Sequence, residues 1–249
     1  MTVETLEVHS DSRIAFISGR ETLQEVRSAG HKRLHPSLRN PNWLVLRARR
    51  QIFERWIARI PGQNLNVLDV GGRIQPYREL LADRANYVAV DLRSTPLLNA
   101  VANAEQLPFA TDTFDMAVCA QMLEYAPEPS RVIAEIHRVL KPGAALLLSV
   151  PSLALRDAEE DRWRFWPAAI RDLLANFSEI EIVPEGRSIA GFFRTINAGL
   201  HSLAPSRLLR AGLSCTVVPA LNLAGLALQS MVRRENDAFA VNYSVFARK

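Results

Sequence analysis

The chain has 249 residues, of which 48% are hydrophobic and 22% are charged, and its formal net charge is +4. This composition is that of an ordinary globular protein and excludes a disordered, collagen-like or coiled-coil chain. The two cysteines, Cys119 and Cys215, are far apart, which excludes a disulfide framework or a cysteine-rich metal site and favours a reducing, cytoplasmic setting.

The N-terminal part of the chain is basic. Its first ten residues are polar and lack the apolar core of a secretory signal, so they predict a protein that is not exported. Residues 42–60 place apolar side chains at helical spacing among arginines. They predict a basic amphipathic helix that packs on the domain as a leading helix or a lid. We therefore divide the chain into an N-terminal helical and basic segment, 1–60, and a main domain, 61–249.

From about Asn66 onward, short apolar runs alternate with amphipathic stretches. This rhythm predicts a mostly parallel sheet covered by helices on both faces, and therefore an α/β fold. The predicted strands are 66–70, 87–91, 114–120 and 144–150, and the predicted helices are 75–82, 130–140 and 167–175.

Residues 211–232 contain no charged side chain. Their length is compatible with a membrane span, but Pro219, Asn222 and Gln229 dilute the run, and an expected strand at about 239–247 has to return to the sheet. The alternatives are a span, docking at a membrane interface, and a buried or substrate-covering helical insertion. The sequence favours the insertion, at about 189–232.

The strongest local pattern runs from Val67 to Gly72, a buried strand followed by a glycine turn. A helix is predicted to begin near Ile74, and the free N–H groups at such a helix start suit an anionic group. Asp91 ends the next predicted strand, where a carboxylate can accept both hydroxyls of a ribose. The combination indicates an adenosine-type ligand.

Four segments carry a more specific signal: NAEQLPF at 103–109, FDMAV at 114–118, QMLEY at 121–125 and RVLKPGA at 138–144. Over about residues 64–185 the chain resembles the class I S-adenosylmethionine-dependent methyltransferases of the small-molecule type, with a type 11 domain. The resemblance implies a seven-stranded, Rossmann-like, doubly wound sheet with an antiparallel last strand. It also implies S-adenosyl-L-methionine as the cofactor.

Carried over by position, the resemblance implies that Gly71 lies at the methionine end of the cofactor, Asp91 at the ribose, and Gln121 beside the sulfonium. A sulfonium is a cation, and the middle of the chain, residues 61–186, holds 18 acidic against 11 basic residues. Around the adenine the resemblance implies Asn103 and Ala104. The remaining expected cofactor contacts are Asp69, Gly72, Arg73, Leu92 and Glu105.

The sequence departs from the family wording at several positions. The usual G-x-G-x-G is Gly71-Gly72-Arg73-Ile74-Gln75, an Asn stands at 103 for the usual Asp, and Ala144-Ala145 follows the Pro-Gly turn. We expect Arg73 to turn toward the cofactor carboxylate as a charge-assisted donor. Tyr125 replaces the common His and is the candidate catalytic base, although a tyrosine is a weaker base near neutral pH.

The sequence says less about the residues that bind the methyl acceptor. Arg162, Trp163 and Trp166 stand where the resemblance places the border of the acceptor pocket, and a hydrophobic seam before a helix is the alternative explanation. The apolar segment 189–232 contains no acidic residue, which favours a hydrophobic or membrane-held acceptor and peripheral contact with the inner membrane face. The leading prediction is methyl transfer to a small-molecule, lipid-linked or glycan-linked acceptor, at oxygen.

Other classes explain the chain less well. A non-catalytic cofactor-binding partner subunit would suit the altered glycine turn. A nicotinamide oxidoreductase would need G-x-G-x-x-G, and a nucleic-acid methyltransferase an Asn-Pro-Pro-Tyr-like tetrad, and the chain has neither. Zinc, P-loop and Ser-His-Asp spacings are likewise missing, so no metal or nucleic acid is expected. His137 and Cys119 are expected to be structural.

Overall fold

The computed structural model describes residues 21–156, 158–232 and 236–249; the polar segment 1–10 lies outside them. The helices are α1 Leu23–Leu34, α2 Trp43–Ile57, α3 Arg78–Leu81, α4 Pro129–Val139, α5 Pro167–Leu173, α6 Arg187–Leu203, α7 Arg207–Cys215 and α8 Val217–Met231. The strands are β1 Leu65–Val70, β2 Ala85–Asp91, β3 Ala100–Val101, β4 Phe114–Ala120, β5 Leu140–Pro151, β6 Ser178–Pro184 and β7 Asn242–Arg248.

The seven strands form one sheet in the order β3-β2-β1-β4-β5-β7-β6. Strands β1 to β5 are parallel, and β7 is antiparallel to both of its neighbours. The predicted doubly wound sheet with an antiparallel last strand is therefore confirmed. The order reverses on either side of β1, so a crevice opens there at the carboxyl ends of the parallel strands.

Alternate residues of the central strands feed two apolar layers. On one face Leu68 and Leu146 join a core that includes Ile133 and Ile136 of α4. On the other face Val67, Met116 and Leu147 pack with the α2 residues Ile52, Phe53 and Trp56. Because both faces are covered, the central strands are mostly apolar on both faces, as expected for a parallel sheet.

The helix borders follow local sequence signals. Thr22 and Glu25 form a capping box at the start of α1. Pro129 and Pro167 occupy first-turn positions in α4 and α5, where a missing N–H group costs nothing. The predicted helix over 42–60 is confirmed as α2, which is a packed leading helix. Leu46 is the one residue of α2 that lines the cavity at the carboxyl ends of the parallel strands.

The helix predicted from Ile74 is wrong. Helix α3 begins at Arg78 and has four residues. Gln75 has a φ of +44° and Ala82 a φ of +46°, both in the left-handed region. Gln75 also precedes Pro76, which disfavours helical backbone at the residue before it. The helical stretch is therefore limited to the few residues between these two positions.

Candidate active site

A cavity of about 1130 Å³ lies in the crevice at the carboxyl ends of β1, β2, β3 and β4. Eleven predicted site residues line it together, although they are spread over 57 positions of the chain. Its wall contains six carboxyl groups and four basic side chains. The eleven residues are Asp69, Gly71, Gly72, Arg73, Asp91, Leu92, Asn103, Ala104, Glu105, Gln121 and Tyr125.

The glycine turn shapes the wall through close packing and not through a helix N-terminus. The N–H groups of Gly71 and Gly72 both donate to the carbonyl of Val90, so they are already used. Gly71 has a φ of +79°, and a Cβ atom there would lie 2.5 Å from Cγ of Met122. A Cβ atom on Gly72 would lie 2.5 Å from Cγ of Asp69. The two positions require glycine because of these neighbours.

The side chain of Asp69 packs against this turn. Its side chain is buried, and the hydroxyl of Tyr87 donates to Oδ2 at 2.7 Å. Burial raises the pKa of Asp69 to about 7, against the lowering effect of the Tyr87 hydrogen bond. The carboxyl group touches the glycine turn and lines the cavity, which agrees with the expectation that it orients the turn.

Asp91 ends β2 beside two arginines. Burial raises its pKa, while the N–H of Arg93, which donates to Oδ1 at 2.8 Å, and the charges of Arg73 and Arg93 act in the opposite direction. Arg73 lies in the cavity wall near this carboxylate. It therefore brings a cation to the place where the family wording has a glycine; that this cation binds the cofactor carboxylate stays a prediction.

Gln75, the other replacement of a glycine, does not obstruct the cavity. Its side chain is buried and lies outside the cavity wall. Its amide donates to the carbonyl of Leu97 and accepts from Arg78. Its backbone is left-handed, the conformation for which the family glycine is suited, so the turn keeps its shape with a different residue.

The edge near β3 is built from Asn103 and its neighbours. Oδ1 of Asn103 accepts from the N–H of Glu105 at 2.9 Å, so this oxygen organises the local turn. Glu105 in turn accepts from the N–H of Glu128 at 2.8 Å. Asn103 is exposed and Ala104 half-buried, and both face the cavity.

A buried polar chain leads from the cavity floor into the protein. Nε2 of Gln121 lies 3.2 Å from Oγ of Ser149, and the Ser149 hydroxyl donates to Oε1 of Glu185 at 2.6 Å. Because Ser149 uses its hydrogen on the carboxylate, its oxygen must accept from the Gln121 amide nitrogen. The amide nitrogen of Gln121 therefore faces Ser149, which leaves the carbonyl oxygen for the cavity.

Glu185 is fully buried and accepts from several donors at once. Arg49 contacts it twice, at 2.8 Å through Nε and 2.8 Å through Nη2. Ser244 and Asn242 of β7 also donate to it. Burial lowers the pKa of Arg49, but the charges and hydrogen bonds of Glu185 and Tyr77 together outweigh burial and raise that pKa. This cluster joins α2, β5 and β7 behind the cavity floor.

Tyr125 and Glu124 lie on a short turn after β4. Tyr125 is half-buried in the cavity wall. Glu124 points away from the wall and is buried, and among the described residues its Oε2 has no hydrogen-bond partner. Burial raises the pKa of Glu124 to about 8. Glu124 was quoted in the QMLEY segment, but no sequence signal marked it as buried.

Helix α1 covers the cavity, which the sequence did not predict. One face of it lines the wall, through Gln24, Glu25, Ser28, Ala29, Lys32 and Arg33. The helix packs closely on the glycine turn, since a Cβ atom on Gly30 would collide with the carbonyl oxygen of Ile74. Hydrophobic periodicity does not reveal this face because it is polar; its i, i+3 and i+4 spacing was the only available signal.

Three potential metal ligands, His31, His35 and Glu79, lie close together, although the sequence predicts no metal site. His31 and His35 both contact Glu79, at 3.2 Å and 2.7 Å. Arg50 lies 2.6 Å from Nδ1 of His35, so that nitrogen accepts and Nε2 carries the hydrogen toward Glu79. Neither His35 nitrogen then offers a lone pair to a metal. The cluster ties α1 to α3.

The predicted acceptor residues lie outside the cavity wall. The backbone N–H of Arg162 donates to the carbonyl of Glu124, and Trp163 donates through Nε1 to the carbonyl of Ala126 at 2.9 Å. Trp166 is 47% exposed at the start of α5. Of the described residues in 187–232, none lines the cavity either. His137 contacts the carbonyl of Asn176, a structural role as expected.

Residues 68–148 match the family Methyltransf_11, described as a methyltransferase domain. A rice 2-methyl-6-phytyl-1,4-hydroquinone methyltransferase is 35% identical over 123 residues, 42% of this chain and 35% of the relative. A ubiquinone biosynthesis O-methyltransferase of Pseudomonas aeruginosa is 32% identical over 102 residues, 33% of this chain and 43% of the relative. The chain thus spans less than half the length of these relatives.

Solved structures share the fold at low identity. The [4+2]-cyclase SpnF superposes with a TM-score of 0.52 at 18% identity, covering 80% of each chain. Phosphoethanolamine N-methyltransferase 2 of Haemonchus contortus, solved with S-adenosylhomocysteine, gives 0.52 at 16% identity, covering 80% of this chain and 51% of that one. Residues 68–148 therefore match a methyltransferase domain, and the sheet around this segment has the fold of these solved structures.

Proposed function

We propose that this protein transfers a methyl group from S-adenosylmethionine to oxygen of a small-molecule acceptor that carries an apolar or lipid-linked body. One observation carries the proposal. The residues that the family resemblance assigns to the cofactor, among them Gly71, Asp91 and Gln121, line a single cavity at the carboxyl ends of consecutive strands. The relatives named above support the reaction class.

The residues present fit this cofactor. Gly71 and Gly72 leave open backbone where a Cβ atom would collide with Met122 or Asp69. Asp91 offers a carboxylate for ribose hydroxyls, and Arg73 offers a guanidinium for a carboxylate. The cavity, about 1130 Å³, exceeds the range of about 300–1,000 Å³ usual for one drug-sized ligand. A cofactor and an acceptor fit together.

The cofactor, when bound, supplies a methyl group on a positively charged sulfur. Transfer to oxygen forms a carbon–oxygen bond, breaks the carbon–sulfur bond and releases the acceptor's proton. In this chain Gln121 lines the cavity, and we assign its side-chain carbonyl oxygen, which is not the atom bonded to Ser149, to the cationic centre. Tyr125 is the polar wall residue that we assign to hydrogen bonding with the acceptor hydroxyl. Helix α1 lies over the cavity and excludes water from the reacting groups.

The apolar nature of the acceptor is supported by the relatives and by the fold. One relative's name includes a phytyl hydroquinone and another's includes ubiquinone biosynthesis. The loop at Asn40 and Asn42 lines the cavity and also contacts the apolar helices: Asn222 of α8 donates to the carbonyl of Asn40, and Arg194 of α6 donates to Asn42. An apolar tail has surface available beside this loop.

Calorimetry with S-adenosylhomocysteine tests the binding half of the proposal. We expect Asp91→Ala to weaken binding by at least about 100-fold, because two hydrogen bonds to a charged group contribute about 1.5–3 kcal/mol each. Asp83→Ala, an exposed carboxylate outside the cavity, should bind like the wild type. The absence of both heat and thermal shift with the wild-type protein would refute the assignment.

The reaction half is tested with labelled S-adenosylmethionine and hydroquinones that carry an apolar tail, with the same rings without tails as the control. Label in the tailed products at a higher rate supports the proposal. The second candidate, a non-catalytic cofactor-binding subunit, is favoured by the replacement of two family glycines with Arg73 and Gln75. Tight cofactor binding without label transfer on any acceptor would favour that candidate.

A further inference from the structure

Helix α8 presents an apolar face to the outside of the molecule. Val217, Leu223, Leu228 and Met231 are 37%, 51%, 42% and 77% exposed. They recur at helical spacing together with the exposed alanines of the same face. The buried side of α8 holds Asn222, whose amide donates to the carbonyls of Leu38 and Asn40. On α8, therefore, a polar amide lies on the buried side and apolar side chains lie on the exposed side.

The exposed apolar surface continues into the neighbouring helices. Leu203 at the end of α6 and Leu208 in α7 are 83% and 84% exposed. Contiguous apolar surface of this kind marks an interaction site. By length and composition Arg207–Met231 could cross a membrane, and only 17% of its most apolar window is buried.

The segment that carries this face has charges of one sign. Residues 187–232 contain Arg187, Arg194, Arg207 and Arg210 and no acidic residue. Arg207 and Arg187 are exposed. An apolar helix face next to arginines matches the chemistry of an anionic lipid surface, in which apolar side chains enter the acyl boundary and cations meet headgroups. A second copy of the same face would bring the arginines together.

The geometry favours contact from one side over a span. Helices α7 and α8 are interrupted at Thr216, which has φ −121° and ψ −68°. The polar side of α8 is tied to the protein by Asn222 and by Gln229, which donates to the carbonyl of Gly186. A span would break these hydrogen bonds and expose both amides to hydrocarbon.

We propose that the outward face of α7 and α8 docks on an anionic membrane surface. Asn222, on the opposite side of α8, donates to the Asn40 loop of the cavity wall, so docking brings that loop toward the bilayer. That consequence rests on the proposed function, because an apolar acceptor would then reach the cavity laterally. Docking itself is independent of turnover.

Vesicle flotation of the whole protein tests the proposal. Vesicles of phosphatidylcholine with phosphatidylglycerol are compared with phosphatidylcholine alone, at low and high salt. We expect binding to the anionic vesicles, reduced by salt. The L223E/L228E variant should bind at least tenfold more weakly, and R207A about fivefold more weakly. The matched control is L153E/L155E, which changes two leucines that are 40% and 43% exposed elsewhere.

Three results would overturn the proposal: no flotation of the wild type, an equal loss for L153E/L155E, or a concentration-dependent dimer that L223E/L228E dissociates while vesicles stay unbound. Folding of each variant is checked by its unfolding midpoint, since the changed side chains are exposed. Calorimetry with S-adenosylhomocysteine on the same samples separates the two proposals: a variant that loses vesicles but keeps cofactor binding has lost docking alone.

Discussion

The carboxylate of Glu185 is fully buried and neutralises a buried arginine. Glu185→Gln therefore tests directly how the cavity floor is stabilised. The side chain is 0% exposed, and it faces Arg49, which is 2% exposed. An amide in its place leaves the guanidinium without a counter-charge. It also turns an NH₂ group toward donors from Ser149, Ser244 or Asn242.

Removing one partner of a buried pair costs about 3–5 kcal/mol. That is a large part of the total of about 5–15 kcal/mol that stabilises a typical domain. We expect Glu185→Gln to lose this amount in urea unfolding followed by tryptophan fluorescence. The double variant Arg49→Met with Glu185→Gln should lose less than half as much, because it removes the unpaired charge.

The control is Glu181→Gln, which breaks an ion pair with Arg59 whose side chains are 53% and 41% exposed. Such surface pairs contribute about 0–1 kcal/mol. The reasoning is refuted if Glu185→Gln costs under about 1 kcal/mol or if the double variant is less stable than the single one. Either result would mean that the carboxylate is not what compensates the buried guanidinium.

Three further predictions concern the cavity wall. Gly72→Ala should lower the free energy of unfolding in urea by about 1–3 kcal/mol and weaken S-adenosylhomocysteine binding, because its Cβ atom meets Asp69. The control Gly212→Ala lies in open space on a helix and should raise the free energy of unfolding by up to about 1 kcal/mol. Asp69 has a pKa raised from 3.8 to about 7; its contribution is therefore complete below about pH 4 and lost as the pH rises through 7. Asp69→Asn should flatten the decline in stability over that window, and an unchanged pH profile would contradict the assignment. Tyr125→Phe should lower methyl transfer about 100-fold while cofactor affinity stays the same; equal turnover would remove Tyr125 from the chemistry.

Much of the fold was predictable because its signals are local. The stripe in α4, its initial proline and the following Lys-Pro-Gly stop lie within 15 residues, and the structure places the helix at Pro129–Val139. Strands β1 and β4 are mostly apolar, with Asn66, Asp69 and Asp115 as the exceptions, and agree with prediction within one residue. The helix near Ile74 failed because a left-handed residue before Pro76 cannot be seen from hydrophobic spacing.

The candidate cavity divides in the same way. The eleven wall residues were predicted from the family resemblance, and the structure brings them together because the carboxyl ends of neighbouring parallel strands meet at one edge of the sheet. The covering helix α1 was not, because its cavity-facing side is polar and has no apolar stripe. The assignment of Arg162, Trp163 and Trp166 to an acceptor pocket remains a prediction, since these residues lie beside the wall and not in it.

The amino-acid sequence by itself predicted the central strands β1, β2, β4 and β5 and the helices α2, α4 and α5, because periodicity and chain punctuation act over short distances. Only the tertiary structure decided that Arg49 meets Glu185, 136 residues away, and which side of α8 faces outward. Most residues of α8 are apolar, and Asn222 and Gln229 are too few to predict from the sequence that their side is the buried one. The buried hydrogen bonds of Asn222 and Gln229 with distant backbone set that orientation instead.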